Sequence, residues 1–274
     1  MHQLLTRTTG PVQSAEPACG APASLPPADG AEPALGVRGL PSGGGNAEGR
    51  GRLAVRLGRL LPTPRRTPFT FGYLAVLALT SLYARLGDAD SVARLLQASS
   101  SDAAHLVRAP LRALFASALW LPGGPLSAYA AGLVAVLTAL ERRIGGRRTA
   151  AVFVLGHVLA TLATEIPVAL SVLAGHLPHT SLHRLDYGVS FGLLASVGAL
   201  AWLLTPLTRT LVLGWVAVLL AIDLVEFADP LTDWGHPIAL LVGLACRPLV
   251  RRAAAHRARS GRQPVRTIPV SGAR

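Results

Sequence analysis

Lysine is absent from this 274-residue chain, so all 26 basic side chains are arginine and every cation is a guanidinium that stays charged. Charge itself is scarce, at 15% of residues against 51% hydrophobic, and it is gathered in a few places. That leaves apolar stretches too continuous for the amphipathic helices of a soluble bundle, which excludes that class. Cysteine is nearly absent too: Cys19 lies in a tail and Cys246 at the end of an apolar run, so no disulfide framework is expected. Residues 1–48 have no apolar run able to bury a core and are rich in Pro, Gly, Ala and Ser. They also lack the basic start, apolar stretch and cleavage site of a signal peptide, so the first span is expected to act as the insertion signal.

What is present reads as an all-α, polytopic membrane protein. Six spans are predicted, at residues 69–84, 125–140, 149–174, 187–205, 210–225 and 235–246. Several fall below the roughly 17 to 25 residues of an ordinary span. Residues 1–67 are expected to form a disordered N-terminal region with a basic juxtamembrane stretch, 68–250 the membrane domain and 251–274 a basic tail. Within 50–66, arginines interleave with Leu53, Val55, Leu57, Leu60 and Leu61, a pattern that suits either a helix lying on the membrane surface or a solvated linker. The loop after the first span has helical periodicity over 91–97 and 101–120, with caps at 99–102 and an interruption at Pro110, and predicts short helices in the outer interface.

Arginine placement sets the expected orientation. Arg50, Arg52, Arg56, Arg59, Arg65 and Arg66 precede the first span, Arg142, Arg143, Arg147 and Arg148 follow the second, and Arg209, Arg247, Arg251 and Arg252 fall on the same side. The opposite loops offset Arg85, Arg94, Arg108, Arg112 and Arg184 with Asp88, Asp90, Asp102 and Asp186. The positive-inside rule then places both termini in the cytoplasm. The net charge of +12 belongs to these flanks, so anionic lipid headgroups are the expected partner and no nucleic acid is. A lysine-free chain rich in Ala, Arg, Gly and Pro points to a GC-rich bacterial genome, hence a bacterial plasma membrane.

In this topology Ser190 and His236 sit just inside the outer starts of the fourth and sixth spans, at matched depth, which points to chemistry if the two helices are neighbours. Further intramembrane ionisable groups are His157 and Glu165, eight residues apart on one face of the third span, and Asp223 and Glu226 at the outer end of the fifth. They fit a supporting polar network. His176, His179, His183 and Asp186 in the third outer loop are metal-ligand types, although Pro178 and the loop context argue against a formed site, and no metal is expected.

An ordered set of motifs resembles the rhomboid superfamily. It comprises Pro-Leu-Arg-Ala-Leu-Phe-Ala-Ser-Ala-Leu-Trp from Pro110 to Trp120 in a half-helical first outer loop, and Leu-Glu-Arg-Arg-Ile-Gly-Gly-Arg-Arg from Leu140 to Arg148, similar to the family's Glu-x-Arg-x-Gly turn. It continues with Gly188-Val189-Ser190-Phe191-Gly192, similar to the nucleophile element, and Gly235-His236-Pro237-Ile238-Ala239 with Gly243. The resemblance covers about residues 69–250. It implies a six-helix fold and a Ser190–His236 dyad that cleaves a transmembrane protein substrate without a cofactor. The family's proteases carry a histidine and an asparagine as oxyanion donors on the second span; the matching positions here are Pro125 and Tyr129, leaving Tyr129 as the oxyanion candidate. Phe191 replaces a glycine, Leu194 an aromatic that packs on the histidine, and Ala239 a glycine. Three functions therefore stand: an intramembrane serine protease, a non-catalytic relative that binds or escorts transmembrane partners, and a metal-dependent membrane hydrolase or proton-coupled transporter built on His157, Glu165, Asp223, Glu226 and His236.

Overall fold

The computed structural model describes residues 61–121, 123–226 and 229–260; the expectations for 1–60 and 261–274 lie outside the described residues. Every regular element among the described residues is a helix. Proline and acid caps set the first boundaries. Helix α1 (Pro68–Leu86) starts on a proline whose missing N–H costs nothing at N1, and ends at Gly87. The outer loop then folds as expected into α2 (Ala89–Ala98), α3 (Ala103–Arg108) and α4 (Pro110–Ser117). Asp88 caps α2 by accepting from the Ser91 amide, Asp102 caps α3 by accepting from the His105 amide, and Pro110 opens α4.

The remaining spans follow in order. Ser127 caps α5 (Ala128–Ile144), which stops at Gly145, where φ of +89° favours glycine. Helix α6 (Gly146–Leu173) is 28 residues long and runs through Pro167. After a turn of 3-10 helix at His179–His183 come α7 (Ser190–Ala201), α8 (Pro206–Glu226), α9 (Pro230–Ala245) and α10 (Arg247–Ser260). Each predicted span holds a helix, with two shifts. The fourth shortens to 12 residues because 187–189 belong to the approach loop and 202–205 to the turn that follows, and the sixth begins earlier, at Pro230. Helices α1, α6 and α8 are long and apolar enough to cross a membrane. The chain remains helical past position 250, where the sequence places a tail, because Val250 and Ala253 are buried against Leu140 and Ile144.

Helix α7 is the axis of the molecule: all its residues except Ser190 and Val197 are buried. Small residues allow this. A Cβ on Gly156 would strike Ala195, one on Gly192 the Phe153 ring, and one on Gly243 the Ala195 carbonyl, so α6, α7 and α9 touch nearly backbone to backbone. At the far end of α7, Trp202 donates its indole N–H to Leu244 O at 2.8 Å and lies under the guanidinium groups of Arg247 and Arg209, 4.6 and 5.4 Å from the ring centre. Glu141, 1% exposed, closes the base of α1 by accepting from the amides of Phe69 (3.0 Å) and Thr70 (2.7 Å) and from the Thr70 hydroxyl (2.7 Å). These bonds to the free amides of a helix start make the family-like Glu-x-Arg-x-Gly turn a clamp between α1 and α5. Helix α8, by contrast, has no buried residue and touches the rest mainly through Val216 and Leu220.

Candidate active site

The segment leading to Ser190 is positioned by the first outer loop. The Gly188 amide donates to Ser117 O at 2.9 Å, and Gly188 adopts a φ of +141° there. One turn earlier the Ser101 amide donates to Asp186 O at 2.7 Å, the Asp186 amide to Ser100 Oγ at 3.0 Å, and the Ser101 hydroxyl to Asp186 Oδ2 at 2.9 Å. Burial pushes the Asp186 carboxyl above the usual carboxylate range, partly countered by the Ser101 hydrogen bond and Arg184. Arg184 also reaches Asp229 Oδ1 at 2.6 Å, joining this loop to the start of α9. Ser190 thus becomes the first residue of α7. The first intrahelical bond at this end of the helix runs from Leu193 N to Val189 O, so the amides of Ser190, Phe191 and Gly192 point out of the helix with no intrahelical acceptor.

His236 comes from the first half of α9 and is 4% exposed. Its ring meets Phe191 edge-on, centroids 5.6 Å apart and planes at 82°. Gly235 permits this, since a Cβ there would collide with the Phe191 ring. The aromatic that the sequence lacks at Leu194 is therefore supplied by Phe191, the residue that replaces a glycine. His236 Nε2 is buried and has no hydrogen-bond partner among the described residues. The carboxylates of Asp223, Asp229 and Asp233 lie close enough to act on the ring electrostatically.

Ser190 and His236 line one cavity of about 190 Å³, together with Tyr129, His157, Thr161, Asp186 and the Phe191 ring. The oxyanion candidate Tyr129 is therefore brought to the cavity that Ser190 and His236 share, whereas Pro125 lines a separate groove with Leu61 and Leu126. His157 is anchored from the loop. Its Nε2 lies 3.0 Å from Leu114 O, which can only accept, so Nε2 carries the proton; Ser117 Oγ is 3.2 Å from the same nitrogen. Its Nδ1 is then an acceptor, and both it and the Thr161 hydroxyl one turn on are buried without a partner among the described residues.

The other ionisable residues divide. Glu165 is 2% exposed on the same face of α6 and has one oxygen, Oε1, without a partner among the described residues. Asp223 is half-buried, and Glu226 is exposed at the end of α8, away from the cavity lining. His176, His179 and His183 are exposed, and among the described residues no three His, Cys, Asp or Glu side chains converge to hold a metal ion. Sequence reasoning missed Ser101, Ser117 and Thr161. The run Ser99-Ser100-Ser101-Asp102 was the available signal, read only as caps when its serines also clasp residues 184–186.

No curated protein and no solved structure matches the chain. The family model described as rhomboid-like protein matches residues 63–256, a stretch that contains the Glu141 clamp, the Ser190 turn, the His236 helix and the first two turns of α10. With three helices fit to cross a membrane and the match covering most of its length, the chain is a multi-pass membrane protein and belongs to the rhomboid-like family.

Proposed function

We propose that the protein is an intramembrane serine endopeptidase of a bacterial plasma membrane, with both termini in the cytoplasm. The observation that carries this reading is the shared cavity: Ser190 and His236 line it together, and His236 Nε2 is buried with no partner among the described residues. An unsatisfied buried nitrogen costs about 1–3 kcal/mol, and a serine proton together with a substrate would relieve it.

In the reaction, His236 takes the proton from Ser190 Oγ as the oxygen attacks the scissile carbonyl carbon of a transmembrane protein substrate. The carbonyl oxygen gains the negative charge. The outward amides at the start of α7 and the Tyr129 hydroxyl are the donors available to it. Collapse breaks the C–N bond, and His236 returns the proton to the leaving amine. Water then repeats the attack on the acyl-enzyme and restores Ser190. No cofactor enters these steps. The lightly attached α8 supports entry of a substrate helix from lipid, because its separation from α7 and α9 disturbs no fully buried residue of its own.

A non-catalytic client-binding role is the second reading. Pro125 and Tyr129 stand where the family's proteases have two oxyanion donors, and no hydrogen bond among the described residues joins Ser190 to His236. A fluorophosphonate probe on liposome-reconstituted protein separates the two. Labelling of wild type that disappears in Ser190→Ala and His236→Ala is the expected outcome. No labelling while an active rhomboid control reacts would sink the peptidase and leave partner capture as the function.

A further inference from the structure

The cavity that holds Ser190 and His236 has a second polar wall. His157 and Thr161 build it from one face of α6, four residues apart, and both are buried, at 4% and 0% exposure. Hydroxyls elsewhere in these helices direct their proton to a carbonyl of the preceding turn: Thr149 donates to Gly145 O, Thr164 to Ala160 O and Ser196 to Gly192 O. The Thr161 hydroxyl departs from that habit, and its Oγ1 has no partner among the described residues.

The His157 ring is held in place from the other side. Its Nε2 meets Leu114 O and Ser117 Oγ of α4, which leaves Nδ1 as a bare acceptor in the same wall. The helix is fixed here as well, since a Cβ on Gly156 would strike Ala195 of α7. The wall thus presents one oriented acceptor and, one helical turn on, one hydroxyl free to donate. Leaving either unmet in a buried site costs free energy. A ligand that brings a proton to the first and an oxygen to the second removes both costs.

We propose that His157 and Thr161 form a specificity subsite for a carboxamide side chain, so that the endopeptidase cleaves after glutamine or asparagine. The inference rests on the peptidase reading above. Ser190 lines the same cavity, so the group that reaches this wall is the side chain of the residue supplying the scissile carbonyl. A carboxamide carries N–H donors and a carbonyl acceptor on one planar group, spread over two atoms to meet partners a helical turn apart. An aliphatic side chain leaves both wall atoms unmet. A carboxylate brings no proton for Nδ1 and would lie beside Asp186, and an ammonium brings no acceptor for the Thr161 proton.

The test reconstitutes the full chain in liposomes and measures how fast Ser190 is labelled by peptidyl phosphonate diphenyl esters that differ only in their last side chain. One carries the carboxamide of glutamine, one the isobutyl group of leucine and one the ammonium of lysine. In each, Ser190 Oγ bonds to phosphorus, phenoxide leaves and His236 takes the serine proton. Wild type is expected to react with the carboxamide about tenfold to a hundredfold faster than with the other two. Thr161→Val is expected to bring that ratio to about one and Thr161→Ser to restore it. No preference for the carboxamide in wild type, including no reaction with any of the three while the fluorophosphonate labels, would overturn the subsite. A Thr161→Val variant that keeps the ratio, with or without a uniform loss of rate, would overturn it too and assign the hydroxyl to packing or a bound water. The wild-type ratio decides alone if the valine variant fails to fold. Wild type that the fluorophosphonate itself leaves unlabelled would remove the peptidase, and the subsite with it.

Discussion

Ser190 owes its position to hydrogen bonds made by its neighbours rather than to any bond of its own. Gly188 is tied to Ser117 and Asp186 to Ser100 and Ser101, and these anchors deliver Ser190 to the mouth of α7. Tyr129 is the one side-chain hydroxyl from α5 in the cavity, so its proposed role as an oxyanion donor has a direct test. Tyr129→Phe keeps the ring and is expected to lower kcat by about tenfold to a hundredfold with KM little changed. A loss confined to KM would assign Tyr129 to substrate binding instead. Asp186 makes a prediction about pH. Its carboxyl is raised by burial, so the folded state holds the proton more tightly than the unfolded state. The stability it contributes is present below the unfolded pKa and lost as pH rises through the folded one. Asp186→Asn is therefore expected to melt above wild type at neutral pH, with the advantage vanishing in acid. Thermal unfolding from about pH 4 to about pH 8 checks this, and a variant that melts lower at neutral pH would refute it.

Among the helices, α7 and α8 are opposites. Helix α7 is only 12 residues long and is wrapped by protein, while α8 is 21 residues long with none buried. The glycines record the difference. Gly243 on α9 faces the Ala195 carbonyl with no space for a methyl group, whereas Gly214 on α8 has nothing within 4 Å of a built Cβ. Gly243→Ala is expected to destabilise by about 1–3 kcal/mol through overpacking. Gly214→Ala should be neutral or stabilising by roughly 0.5–1 kcal/mol, the helix-propensity gain. Denaturation of the two variants in one detergent decides it; equal effects would mean that α7 and α9 are not in close backbone contact.

For the molecule as a whole, the asymmetry of its arginines is the main constraint. The α5–α6 turn, the approach to α1 and the α10 helix carry one basic face, and the Ser190 cavity lies toward the other end, under the outer-loop helices. On the proposed topology both termini are cytoplasmic, and Cys19 then reports orientation. Cys246 is only 7% exposed, so a membrane-impermeant thiol reagent reads Cys19 almost alone. Right-side-out vesicles are expected to label only after permeabilisation. Labelling of intact vesicles would reverse the topology and put the Ser190 cavity on the cytoplasmic side.

By itself the sequence determined the helical class, the places of the six apolar helices, the half-helical outer loop and the candidate pair Ser190 and His236. Hydrophobic run length, proline and acid caps, and a few short motifs are local signals, and each survives without knowledge of what packs where. Tertiary structure alone decided which side chains meet. That Phe191 takes over the aromatic contact with His236, that Ser117 orients His157, that Tyr129 but not Pro125 reaches the cavity, and that Arg257 joins Arg65, Arg66 and Arg142 all depend on contacts between residues far apart in the chain. Glycine at the α6–α7–α9 crossings sets the interhelical distances on which those meetings rest. A close backbone approach is a property of two helices together, and neither sequence segment specifies it alone.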